Sequence, residues 1–126
     1  MIQAIEGLAE LLGRYAFKPT NERQMQEQVA EVLERAGLTV DREVRACARD
    51  RYDLLVALPG AARVVLELKL AASAPAVERQ AQRYAAAPDV DAVVVVTTSH
   101  RLAHELRRGG EQLGGKPFAV IALRPF

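Results

Sequence analysis

The run Ala92-Val93-Val94-Val95-Val96-Thr97 does not alternate between polar and apolar positions. Side chains of a strand point to opposite faces in turn, so an unbroken β-branched run is the pattern of a strand covered on both sides. Such a strand belongs at the centre of a sheet with helices packed on its faces, and the rest of the chain must supply those layers.

The remaining periodicities do so. Residues 2–14 repeat Ile2, Ile5, Leu8, Ala9 and Leu12 at helical spacing. Lys18-Pro19-Thr20-Asn21 then supplies a turn and an N-cap for a second helix, with Met25, Val29, Val32, Leu33 and Ala36 on one face and Gly37 as its stop. Strand-like segments follow at 40–46, 52–58 and 63–70, the last two joined through Pro59-Gly60, and predict an antiparallel meander. An alanine-rich helix is expected over 74–87, with Pro75 in its first turn and Pro88 just beyond its end. After the valine run, Ser99 can cap a helix to about residue 108, and a final strand is expected over 118–123. The fold class is therefore α/β, a mixed central sheet flanked by helices. A chain of 126 residues makes one such domain, with 1–18 as a leading helix, 20–100 as the core and 100–126 as a helix and last strand.

Charge and cysteine content remove some functions. A net charge of +1 excludes a strongly basic protein, although 14 of the 17 cationic residues are arginine, the side chain suited to bidentate phosphate contacts. Codon usage explains arginine richness equally well. Cys47 stands alone, so no internal disulfide or cysteine-rich metal site is expected, and it reads as a small half-buried residue. Glu6 and Glu10 in the first turns argue against a signal peptide. No uncharged stretch approaches the roughly 20 residues that cross a bilayer, so no membrane association is expected and a soluble, cytoplasmic protein is the default.

Within Val64-Val65-Leu66-Glu67-Leu68-Lys69-Leu70, Val65, Glu67 and Lys69 share one face and the valine and leucines the other. A carboxylate and an ammonium in so apolar a strand are costly unless paired or bound to metal. Asp53, with thirteen residues between it and Glu67, lies in a second apolar run, Tyr52-Asp53-Leu54-Leu55-Val56. Two acids and a lysine can thus converge on one site.

Asp53, the thirteen-residue gap and Glu67-Leu68-Lys69 together resemble the PD-(D/E)xK nuclease superfamily, with Tyr52 where the motif's name has proline. Gln80-Ala81-Gln82-Arg83-Tyr84 is similar to the Gln-x-x-x-Tyr element of RecB-type members, and its two end residues lie on one helical face. The resemblance spans roughly residues 20–100. It implies a restriction-endonuclease-like αβββαβ core and metal-dependent hydrolysis of nucleic acid, with DNA as the expected partner. It also implies Mg²⁺, replaceable by Mn²⁺, on Asp53, Glu67 and the main-chain carbonyl of Leu68, with one or two ions. Gln80 and Tyr84 enter the expected catalytic set with Lys69. Members often add an acid from the helix before the meander, here Glu22, Glu27 or Glu31. At 100° per residue Glu22 falls within about 20° of Val29 on the sheet-facing side and Glu27 about 160° away, which favours Glu22 and keeps Glu27 second.

The residue types suit this chemistry. Hard oxygen ligands hold Mg²⁺, and Lys69, about 7 Å along the strand from Glu67, can reach an attacking water or the scissile phosphate. Two other readings stay open. The charged residues can be ordinary solvent-facing positions of a sheet, with Lys69 paired to a cross-strand acid. The chain can also be a non-catalytic nucleic-acid-binding or assembly module. Elsewhere, His100 and His104 have zinc-compatible spacing without a third ligand nearby, and Thr97, Thr98 and Ser99 suit either phosphate contact or helix capping. Arg42, Arg45, Arg49 and Arg51 form the densest basic cluster, either an electrostatic footprint for nucleic acid or a solvated hairpin rim. A core of this size leaves little surface for reading sequence, so a homodimer, a larger complex or recognition of nucleic-acid structure is expected.

Overall fold

Every residue of Ala92–Thr97 is buried, as an unalternating strand requires. In a computed structural model, which describes residues 1–46 and 50–125, this strand, β5, lies inside a six-stranded sheet of order β2-β3-β4-β5-β7-β6. The strands are β2 (Thr39–Arg45), β3 (Arg51–Leu58), β4 (Ala62–Lys69), β5 (Ala92–Thr97), β6 (Gln112–Leu113) and β7 (Lys116–Ala122). β2, β3 and β4 form the expected antiparallel meander, and β4, β5 and β7 run parallel. The sheet is thus mixed.

Helices cover both faces, and the alternation of each strand sorts the core into two layers. On one side Leu54, Val56, Val64, Leu66 and Leu68 meet α1 (Ile2–Gly13) through Leu8 and Leu12, and α2 (Glu22–Arg35) through Met25, Val29 and Leu33. On the other, Leu55, Val65, Val93 and Val95 meet α3 (Ala74–Ala85) through Val77, Ala81 and Tyr84, and α4 (His100–Arg107) through Leu102 and Leu106.

Local signals account for most boundaries. Asn21, Ser73 and Ser99 cap α2, α3 and α4, their side-chain oxygens accepting the N–H of Gln24, Ala76 and Leu102. The chain differs from expectation in short pieces. The β3–β4 loop takes three residues, Pro59, Gly60 and Ala61, with φ of +86° at Gly60 and +63° at Ala61, so it is wider than a Pro-Gly turn. Three two-residue strands lack enough length to show a period. These are β6, joined to β7 across Gly114-Gly115, and the parallel pair β1 (Ala16–Phe17) and β8 (Arg124–Pro125). Among the described residues no helix is long and apolar enough to cross a membrane.

Leu66 is fully buried and pairs with Leu54 on one neighbour and Val94 on the other. Leu66→Ala is expected to destabilise the fold by about 2–5 kcal/mol in urea unfolding, and a loss of under about 0.5 kcal/mol would contradict this packing.

Candidate active site

The meander brings Asp53 and Glu67 together by a local departure from regular pairing. Tyr52 and Leu54 are two residues apart and in a regular strand would share a face, yet Tyr52 packs with α3 and Leu54 with α2. The change of face falls on Asp53. Its side chain turns toward β4, where Oδ2 accepts the main-chain N–H of Leu68 at 2.9 Å. On the other side, Arg42 pairs with Leu54 and Val44 with Tyr52, and Glu43 between them has a left-handed φ of +51°. That conformation is uncommon for a residue with a side chain and marks the same disturbance across two strands.

Glu67 is on the α3 side of β4 and only 4% exposed. Its Oε1 lies 3.5 Å from Lys69 Nζ, while Oε2 is buried and meets no N–H or hydroxyl donor, so the bond between the Glu67 and Asp53 carboxyls needs a shared proton. Burial first, then the negative charge of Asp53, pushes the Glu67 carboxyl up to about 9, against the opposing pull of Lys69. Burial also raises Asp53, a rise limited chiefly by the Leu68 N–H. Two acids therefore share a water-poor site with one ammonium beside them. Lys69 makes its ion pair with the glutamate two positions back on its own strand, and its charge also acts on Asp53 of the neighbouring strand.

Glu22 opens α2 at the same end of the sheet, and its Oε2 accepts the N–H of Leu70 at 3.0 Å. Both Glu22 and Glu27 are exposed, against the sheet-facing placement expected for Glu22, but Glu22 is tied to the residue after Lys69 whereas Glu27 lies 3.8 Å from Arg23. Glu31 pairs with Arg35. Among the described residues, no three His, Cys, Asp or Glu side chains form one metal-holding group; this applies to the acids and equally to His100 and His104, both exposed on α4. The fit to a divalent ion rests on Asp53 and Glu67. Two buried carboxyls held against each other, both raised, offer the oxygen-donor chemistry that a hard cation satisfies in place of a shared proton.

Gln80 and Tyr84 also meet. Gln80 Nε2 donates to Tyr84 Oη at 2.9 Å, and Tyr84 Oη donates to the carbonyl of Arg51 at 3.3 Å. The Tyr84 ring stands edge-on to Tyr52 with centroids 4.9 Å apart. Next along α3, Arg83 Nη2 lies 3.2 Å from Asp50 Oδ1. Two consecutive helix residues thus hold residues 50, 51 and 52, the three that lead into Asp53. Burial first, then the charges of Glu67 and Asp50, raises the Tyr84 phenol well above its ordinary range, so it stays a neutral donor.

On the α2 side of Asp53 lies a cleft of about 540 Å³ between α2 and β2. Arg42 and Arg51 line it, but Arg42 is held by Glu34 in a bidentate pair of 2.9 and 2.7 Å. Arg45 is exposed at the end of β2, and Cys47 and Arg49 lie outside the described residues. Ser99 caps α4, and Thr97 Oγ1 accepts the Ser99 N–H, so both serve the strand-to-helix turn. Sequence reasoning did not single out Asp50, Glu43 or the Arg51 carbonyl. Glu43 carried no signal because a left-handed residue inside a strand has no side-chain signature other than glycine. Comparison of the chain with models of protein families, with curated proteins and with solved structures gives no match.

Two outcomes test this geometry. A free glutamate ionises near 4.5 and Glu67 in the fold near 9, so this group contributes no penalty below 4.5 and lowers stability as pH rises through that window. In the absence of divalent ions, Glu67→Gln should be more stable than wild type by about 1–3 kcal/mol at pH 8 and the gap should close toward pH 5; equal pH slopes in urea unfolding would refute the raised carboxyl. Tyr84→Phe removes the donor to the Arg51 carbonyl and should cost about 0.5–1.5 kcal/mol in the same assay, whereas unchanged stability would mean that the bond carries nothing.

Proposed function

We propose that the chain is a metal-dependent nuclease of the PD-(D/E)xK superfamily, with a restriction-endonuclease-like fold, that hydrolyses phosphodiester bonds of DNA. The observation that carries this reading is the buried Glu67 carboxyl held against that of Asp53, two acids out of water with Lys69 beside them. Without a cation the two carboxyls stay together only by sharing a proton, and burial that disfavours both charges is a standing cost that a divalent ion removes. The element order α2-β2-β3-β4-α3-β5 supports the fold assignment, since it is the αβββαβ order that the motif implies.

Asp53, Glu67 and the Leu68 carbonyl would hold Mg²⁺, or Mn²⁺ in its place. The ion would supply charge to the phosphate and lower the pKa of a bound water. The chain's own contributions follow from the geometry. Asp53 is oriented by the Leu68 N–H, so its carboxylate is positioned before substrate arrives. Lys69 is held next to Glu67, where its ammonium can hydrogen-bond the attacking water or a phosphate oxygen. Glu22 braces the strand end at Leu70, and the α3 residues Gln80 and Tyr84 act on the approach to Asp53 through the Arg51 carbonyl. Water adds to phosphorus and the P–O ester bond breaks, leaving a phosphate monoester and an alcohol.

Incubation with single-stranded and duplex DNA in Mg²⁺ or Mn²⁺ tests the proposal. Wild type should cleave, chelation should abolish cleavage, and Asp53→Asn and Lys69→Gln should each lose about 10²–10³-fold in rate. Equal rates in all three proteins would contradict it, and DNA binding without turnover would favour the non-catalytic module.

A further inference from the structure

The ladder between β3 and β4 ends at Leu54, opposite Leu66. Arg51, Tyr52 and Asp53 continue past it with β2, the outermost strand of the sheet, beside them. Pairing on that side alone leaves the segment free to relax toward regular alternation, which would return Tyr52 and Leu54 to one face. Asp53 keeps its turn toward the Leu68 N–H only while the residues before it are held on the α3 side.

Contacts from α3 do the holding. Tyr84 supplies its ring against Tyr52 and its hydroxyl on the Arg51 carbonyl. Arg83 grips Asp50, with Nε 3.4 Å from Oδ1 and 3.3 Å from Oδ2, and Nη2 3.2 Å from Oδ1. Such a fork fixes direction as well as distance. Asp50 is anchored through its main chain too, its carbonyl accepting the N–H of Ala46 at 3.0 Å. The Asp50 side chain is 16% exposed but that of Arg83 is 55% exposed, and an ion pair so open to water adds little to stability. Arg83 also lies in the last turn of α3, where the helix dipole favours a cation. The dipole accounts for a basic residue there and not for a two-nitrogen grip on Asp50, which lysine could not form.

We infer that Arg83 is a positioning residue for the reaction: acting through Asp50, it holds the start of β3 against α3 so that the Asp53 carboxylate meets the Leu68 N–H beside Glu67. Its effect on rate rests on the nuclease reading, and its effect on cation binding rests on the carboxyl pair alone. Arg83 acts three residues upstream of Asp53, so its loss misplaces one oxygen donor and leaves substrate binding intact.

Mn²⁺ binding by electron paramagnetic resonance and steady-state cleavage of a labelled DNA are measured for wild type, Arg83→Gln, Asp50→Asn, the double variant and Arg79→Gln. Arg79 is exposed one turn earlier on α3 and makes no ion pair among the described residues, so it controls for loss of charge alone. Arg83→Gln and Asp50→Asn should each weaken Mn²⁺ binding and lower kcat by about 10–100-fold, with KM within about twofold and circular dichroism unchanged. The double variant should match either single one, because the two residues act through each other. Unchanged Mn²⁺ binding and kcat in both single variants, multiplied losses in the double variant, or a rise in KM shared with Arg79→Gln overturns the assignment. Cleavage by wild type that is insensitive to both substitutions defeats the positioning role and leaves the nuclease reading standing. Arg83-dependent Mn²⁺ binding without cleavage leaves the positioning role standing and defeats the nuclease reading.

Discussion

The Asp53 carboxylate on the Leu68 N–H joins β3 to β4 at the one point where β3 changes face. A regular strand would send the Asp53 side chain away from the sheet. Here it replaces a main-chain acceptor, and the bond holds the carboxyl next to Glu67 in a site that disfavours both charges. The proximity is expensive in a protein that gains nothing from it. It is sensible in one that delivers two oxygen donors to a cation and keeps an ammonium beside them.

Much of the surrounding structure sustains that contact. β5 supplies a dry, fully buried neighbour on which β4 pairs from Val64 to Lys69. α3, started by Ser73, aligns Gln80, Arg83 and Tyr84 on the segment that feeds Asp53. α2, started by Asn21, brings Glu22 to Leu70 and forms one wall of the cleft. The two helical layers therefore do different work around the same pair of strands. α3 fixes the carboxylate, and α2 shapes the approach to it.

The valine run, the meander and the capped helices were legible in the sequence because each has a period or a cap that operates locally. Glu67 and Lys69 stood out because charge in an apolar strand is costly unless paired or bound, whereas helical phase set Glu22 on the sheet-facing side with Val29 and the fold leaves it exposed in the first turn of α2. The two-residue strands were not legible, since pairing at Ala16 and Arg124 depends on chain ends that meet only in the folded molecule. Nor was the change of face at Asp53, which needs both the Leu68 N–H and the left-handed Glu43 to be in place. Spacing made Gln80 and Tyr84 neighbours on a helix, but only the three-dimensional arrangement reveals that the tyrosine's partner is a main-chain carbonyl two residues before the aspartate.

The central claim is that Asp53 and Glu67 form a cation seat. A Mn²⁺ titration followed by electron paramagnetic resonance, which reports free ion directly, addresses it without reference to any substrate. Wild type should remove Mn²⁺ from solution in a saturable manner, and Glu67→Gln and Asp53→Asn should each weaken that binding by at least about tenfold. Indistinguishable titrations of wild type and both variants would contradict the account.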